Sequence, residues 1–158
     1  MKNSDFDIPA RVFDFKNDIK YGESSEELVK EFLDSLSDGA FEVKSDRYRN
    51  GRMIVETQQN PKASKDKDGN LIWCNSGINV TKAKWWVYVF SPDGAFIIVS
   101  VKRLKRYLRI NNNRFNENTK KNLGGQENPA RGFLLYQNDI TDLMTNKKYD
   151  GEESTNPL

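Results

Sequence analysis

"FEVKSDRYRNGRMIVETQ", residues 41–58, puts charge after charge into two segments that otherwise read as strands. In "FEVKSD", Phe41 and Val43 point one way and Glu42, Lys44 and Asp46 the other, because side chains alternate along a strand. Asn50-Gly51 is a strong local hairpin signal, and "RMIVETQ" then reads as the return strand. There Ile54, Glu56 and Gln58 share one face, and Met53 and Val55 share the other. Across the expected hairpin, Asp46 joins Glu56 and Gln58 in one acidic cluster, with Glu42 and Lys44 on the same face as Asp46.

Two readings of that cluster stand side by side. Carboxylates held this close repel one another, and a divalent cation between them removes the penalty. A hard ion such as Mg²⁺ takes oxygen ligands, one or two carboxylates, and retained water. It can activate that water and stabilise charge developing on a phosphate. The other reading is a solvated sheet face carrying cross-strand Lys–Glu pairs.

Upstream, "YGESSEELVKEFLDSLSDG" predicts a helix over 24–37. Ser24 and Glu27 form a capping-box pattern, Val29, Phe32, Leu33 and Leu36 follow at helical spacing, and Asp38-Gly39 ends it. Glu26 falls on the side of Val29 and Leu33. It either faces the sheet as one more acidic group or places a favourable charge near the helix N-terminus. Downstream, "QNPKASKDKDGNLIWCN" reads as an exposed loop, "WWVYVF" and "AFIIVS" as strands joined by "SPDG", and "VKRLKRYLRI" as an amphipathic basic helix. In that helix Val101, Leu104 and Leu108 point inward. "RGFLLY" and "NDITDLM" give a last strand and a last helix. The order predicts one α/β domain with a central mixed β-sheet flanked by helices. Residues 1–20 read as an N-terminal arm, 21–144 as the domain, and 145–158 as a disordered tail.

Composition narrows the chemistry. The 158 residues include no histidine and one cysteine, Cys74. Histidine-based triads, general bases and the common zinc sites are excluded, and Cys74 has no histidine to activate it. A lone cysteine fits a reducing compartment. The longest apolar run, "WWVYVF", is too short for a bilayer, and the N-terminus lacks the apolar run of a secretory signal. A cytoplasmic protein with no membrane partner is expected.

Glutamate in a first helix, then Asp, then Glu-x-Gln on successive strands resembles the PD-(D/E)XK, or restriction-endonuclease-like, nuclease superfamily. "EVKSDRYRNGRMIVETQ", "SGINVTKAKWWVYVF" and "GGQENPARGFLLY" look like small phage-encoded members, over residues 20–143. The resemblance implies a restriction-endonuclease-like core. It also implies Mg²⁺ or Mn²⁺ on Asp46 and Glu56, and metal-assisted hydrolysis of DNA phosphodiesters. Glu26 matches the first-helix glutamate. Gln58 stands where the superfamily usually carries lysine; Lys82 and Lys44 are the candidate replacements, or ordinary surface lysines. By the same analogy, a homodimer supplies two sites for two strands.

For holding the nucleic acid, Arg47, Arg49 and Arg52 flank the expected site, and Tyr48 among them can stack on a base. Lys102, Arg103, Lys105 and Arg106 of the basic helix are further phosphate contacts, or serve the helix dipole and solubility. Two rivals remain. One is the same fold weakened in catalysis by Gln58 and kept as a DNA-binding module. The other is an interaction protein with no nucleic-acid role, such as an inhibitor of a host enzyme.

Overall fold

The hairpin expected across Asn50-Gly51 does not form. In the computed structural model, which describes residues 15–45, 48–115, 127–153 and 156–158, strand β1 (Phe41–Ser45) runs parallel to β4 (Trp85–Ser91). Strand β2 (Met53–Gln59) instead pairs antiparallel with β6 (Ala130–Leu135) and with the short β3 (Cys74–Asn75). β5 (Ala95–Ser100) adds to β4 through the expected "SPDG" turn, where the Gly94 N–H donates to the Ser91 carbonyl at 3.1 Å. The central sheet is therefore two three-stranded sheets, β1-β4-β5, which is mixed, and β3-β2-β6, which is antiparallel.

A local turn is present all the same. Arg49 and Gly51 take positive φ values of 47° and 74°, and the Arg52 N–H donates to Asn50 Oδ1 at 3.1 Å. The turn bends the chain, but the strands on either side find better partners elsewhere. In β2, Met53 lies opposite Leu135 and Val55 opposite Phe133, and all four are buried. A neighbouring β1 with its two charges offers no such match.

One core serves both sheets. Met53, Val55, Phe133 and Leu135 meet Trp86, Tyr88 and Val99 from the other sheet. Leu104, Tyr107 and Leu108 of α2 (Val101–Ile110) and Leu143 of α3 (Gln137–Thr145) close it. The Ile54 N–H donates to the Tyr88 hydroxyl at 3.2 Å and ties sheet to sheet. Both tryptophans of "WWVYVF" are buried. Residues 39–158 thus form one α/β unit; helix α1 (Phe15–Ser37) belongs to the other compact unit, residues 1–38.

Helix α1 begins at Phe15 rather than at residue 24. No proline interrupts residues 15–23, and Gly22 alone costs a helix only about 1 kcal/mol. Ser24 is interior, so the expected capping box is not a cap, and residues 15–20 of the expected arm are helical. Gly39, at φ 65°, follows the last turn as expected.

The charges of β1 are placed opposite to expectation. Glu42 is in register with Trp86 and Lys44 with Tyr88, so both lie on the face that carries the core, half-buried, while Val43 is exposed. They satisfy each other: Lys44 Nζ is 2.6 Å from Glu42 Oε1 and 5.6 Å from the Trp86 ring centroid. A pair this open to solvent contributes about 0–1 kcal/mol.

The segment expected as a disordered tail is bonded to the body. Lys147–Tyr149 form a 3₁₀ turn, Tyr149 is buried, and Leu158 packs against the core with its N–H on Asn79 Oδ1 at 2.8 Å. The Tyr149 hydroxyl donates to Asp142 Oδ2 at 2.5 Å, and with the Asn146 amide it holds the Asp142 carboxyl below its ordinary 3.8. Burial, then the neighbouring Asp139 charge, pushes the Tyr107 hydroxyl above its ordinary 10.0.

The signs set a pH window. A depressed carboxyl contributes stability above its unfolded value and loses it as pH falls below 3.8. A phenol raised in the folded state loses stability as pH climbs past 10.0, because only the unfolded chain then ionises. A thermal midpoint that is flat between these limits and falls on both sides is expected. In circular-dichroism melts, Asp142→Asn should soften the acid limb and Tyr107→Phe the alkaline one.

Candidate nucleic-acid interface

Strand β2 alternates as expected as far as Glu56. Met53, Val55 and Thr57 are buried, and Ile54, Glu56 and Gln58 are half-buried. A β-bulge between Glu56 and Gln58 shifts the register against β6, so Glu56 faces Gly132 and Gln58 faces Arg131. Backbone crowding fixes Glu56. An added Cβ on Gly132 would come within 2.8 Å of Glu56 Cα, and one on Gly77 within 2.2 Å of the Glu56 carbonyl oxygen. The Ser76 hydroxyl, itself buried, donates to Glu56 Oε1 at 2.6 Å.

The other members of the expected cluster do not converge on it through strand pairing. Asp46 and Arg47 lie outside the described residues. Ser45, the last residue of β1, pairs with Val89 in the other sheet. Lys44 is committed to Glu42 and Trp86. Glu26 is exposed on α1 rather than on a buried side, and Lys82 is an exposed residue before β4. Among the described residues no group of three or more His, Cys, Asp or Glu side chains could hold a metal. Glu56 and Gln58 supply one carboxylate and one amide; the second carboxylate expected for Mg²⁺ or Mn²⁺, Asp46, lies outside the described residues.

The loop after β1 makes a different kind of site. Arg49, Asn50 and Gly51 line a cleft of about 690 Å³ with Phe90 and Ser91 of β4 and Gln137 at the start of α3. Arg49 donates to the Ser91 hydroxyl and reaches Asp93 Oδ2 at 3.4 Å. Both partners of that ion pair are largely open to water, so a phosphate can replace the aspartate at little cost. Tyr48, just before Arg49 in the chain, is 74% exposed, and Arg52, just after Gly51, is half-buried. Phe90 offers an apolar surface, and the amides of Asn50 and Gln137 can both donate and accept hydrogen bonds. The sequence identified the basic loop and the "SPDG" turn; that Phe90, Ser91 and Gln137 meet the loop follows only from the two-sheet topology.

The basic helix is differently employed. Lys102 pairs with Glu152 at 2.6 Å. Arg103 donates to the carbonyls of Leu143 and Asn146, each at 2.7 Å, and pairs with Asp150. Arg106 donates to the carbonyls of Lys148 at 3.2 Å and Glu152 at 2.9 Å, and Arg109 pairs with Glu153. Of the four phosphate contacts expected on α2, three are thus bonded to the chain's own C-terminal segment; Lys105 is half-buried. Across the other sheet, Arg131 stacks 3.8 Å from the Trp73 ring centroid, beside the exposed Cys74.

Compared with protein-family models, curated proteins and solved structures, the chain matches none. Among the described residues no helix is long and apolar enough to cross a membrane.

Proposed function

We propose that the protein binds single-stranded DNA through the loop 48–52 and the cleft behind it. The observation that carries this reading is an exposed tyrosine next in the chain to Arg49, which lines a cleft with an apolar wall and two amides. Arg49 and Arg52 would hold phosphates, Tyr48 would stack on a base, and Asn50 and Gln137 would meet a base edge. The test is fluorescence anisotropy with a labelled single-stranded oligodeoxynucleotide. Tyr48→Ala with Arg49→Ala should weaken binding by about 10- to 100-fold, since one stacked base is worth about 1–3 kcal/mol. The salt slope should flatten by about 1. Binding that ignores both substitutions removes the reading.

A second reading, metal-dependent DNA hydrolysis of the PD-(D/E)XK type, rests on Glu56 and Gln58. Both are half-buried on β2, on either side of its bulge. Incubating plasmid and single-stranded DNA with Mg²⁺ or Mn²⁺ decides between the two. Cutting that Glu56→Gln abolishes would make the protein a nuclease whose loop positions the strand. Binding without cutting leaves the binding module.

A further inference from the structure

Among the described residues, the outer face of α2 and the C-terminal segment share three ion pairs, and the loop site uses none of them. Lys102, Arg106 and Arg109 stand at i, i+4 and i+7, which is one side of a helix. They span about 10 Å of its axis. Opposite them, residues 150–158 carry three acidic residues, Asp150, Glu152 and Glu153, and no basic one.

The segment is held unevenly along its length. Tyr149, just before it, is locked in the core. Glu153 is nearly enclosed, its side chain 6% exposed against Arg109. Between these anchors, Glu152 is 92% exposed in its pair with Lys102. An ion pair that open is worth about 0–1 kcal/mol and weakens further with salt. Arg106 meets only backbone carbonyls there, of Lys148 and Glu152. A guanidinium that donates to carbonyl oxygens donates more strongly to phosphate oxygens, because the acceptor is then charged.

We propose that this face of α2 is a second site for a DNA phosphodiester strand, occupied in the free protein by the acidic residues of 150–153 as a built-in competitor. The proposal rests on the DNA-binding reading above. A strand bound along this face must displace the carboxylates of Glu152 and Glu153, so the segment lowers affinity and flattens its salt dependence.

The test uses the full chain with Asp150→Asn, Glu152→Gln and Glu153→Gln together, which keep shape and remove charge. Binding of the labelled single-stranded oligodeoxynucleotide should tighten by about tenfold, and the salt slope should steepen by about 0.7 for each cation that gains a phosphate. Adding Lys102→Ala and Arg106→Ala to this variant should return affinity to that of the unaltered protein. Glu23→Gln, Glu27→Gln and Glu31→Gln on α1 change net charge equally and should leave affinity within about twofold. An equal gain from the α1 variant, or no gain from the C-terminal one, overturns the proposal. If the loop variant loses binding while the C-terminal variant gains none, the loop reading stands and the competitor fails. If the C-terminal variant gains binding that the loop substitutions do not touch, the loop fails and the competitor stands. If no variant binds, both fall.

Discussion

Replacing Gly132 by alanine should cost about 3 kcal/mol of stability. Its Cβ would lie 2.2 Å from the Val55 carbonyl oxygen and 2.8 Å from Glu56 Cα. Both are backbone atoms of the paired strand, so no side-chain rotation relieves the clash, and β2 must move away from β6. The ladder is already interrupted one residue on, by the bulge between Glu56 and Gln58. Gly77→Ala should be as damaging for a second reason. Its φ is 51°, where a side chain is strained, and its Cβ would meet the Glu56 carbonyl oxygen at 2.2 Å. Gly22→Ala is the opposite case: it is helical with nothing within 4 Å, and should stabilise α1 by up to about 1 kcal/mol. Urea unfolding of the three variants reads these signs directly. A loss of less than about 1 kcal/mol at Gly132 would mean that the strands yield. The two glycines approach the backbone of the same residue, Glu56, from different segments. The Ser76 hydroxyl completes its placement.

Periodicity was legible where one strand or helix could be read alone. The alternation of β2 as far as Glu56, with Met53 and Val55 inward, follows from its own sequence, as does the inward row Val101, Leu104 and Leu108 of α2; the bulge before Gln58 does not. Pairing was not legible. Asn50-Gly51 is a local signal, and the partner of β1 lies beyond it in β4, reached through two intervening strands. A charged pair such as Glu42 and Lys44 reads as an active-site element until Trp86 is known to lie beneath it; then it is an intrastrand ion pair on an aromatic. The basic loop 48–52 was legible as a cation cluster, but the cleft was not, because Phe90 and Gln137 come from distant segments. The resemblance to a nuclease drew on residue types in order along the chain. Order says nothing of which sheet each strand joins, and the Glu56 strand and β1 join different ones.

The largest error of the sequence reading concerned the C-terminus, and Tyr149 is where it is tested. "TNKKYDGEESTNPL" is polar and acidic, a composition that cannot bury enough apolar surface to fold by itself. It need not, because α2 supplies the opposite charges and the core supplies a slot for one aromatic ring. Tyr149 is 1% exposed, and its ring meets that of Tyr107 edge-on at 4.9 Å between centroids. Its hydroxyl donates to Asp142 and accepts from the Asn111 amide at 3.0 Å. Tyr149→Ala should therefore cost about 4 kcal/mol, the range for emptying a large aromatic from a core. Tyr149→Phe keeps the ring and loses the two hydrogen bonds, which should cost about 1–2 kcal/mol and release Asp142 toward its ordinary acidity. Limited proteolysis separates the anchor from the charges. In Tyr149→Ala the segment after residue 146 should become cleavable while the sheets stay protected, whereas the charge-neutral C-terminal variant should keep its protection up to Tyr149. Equal resistance of the alanine variant and the unaltered protein would mean that the ion pairs on α2, rather than the buried ring, hold the C-terminus in place.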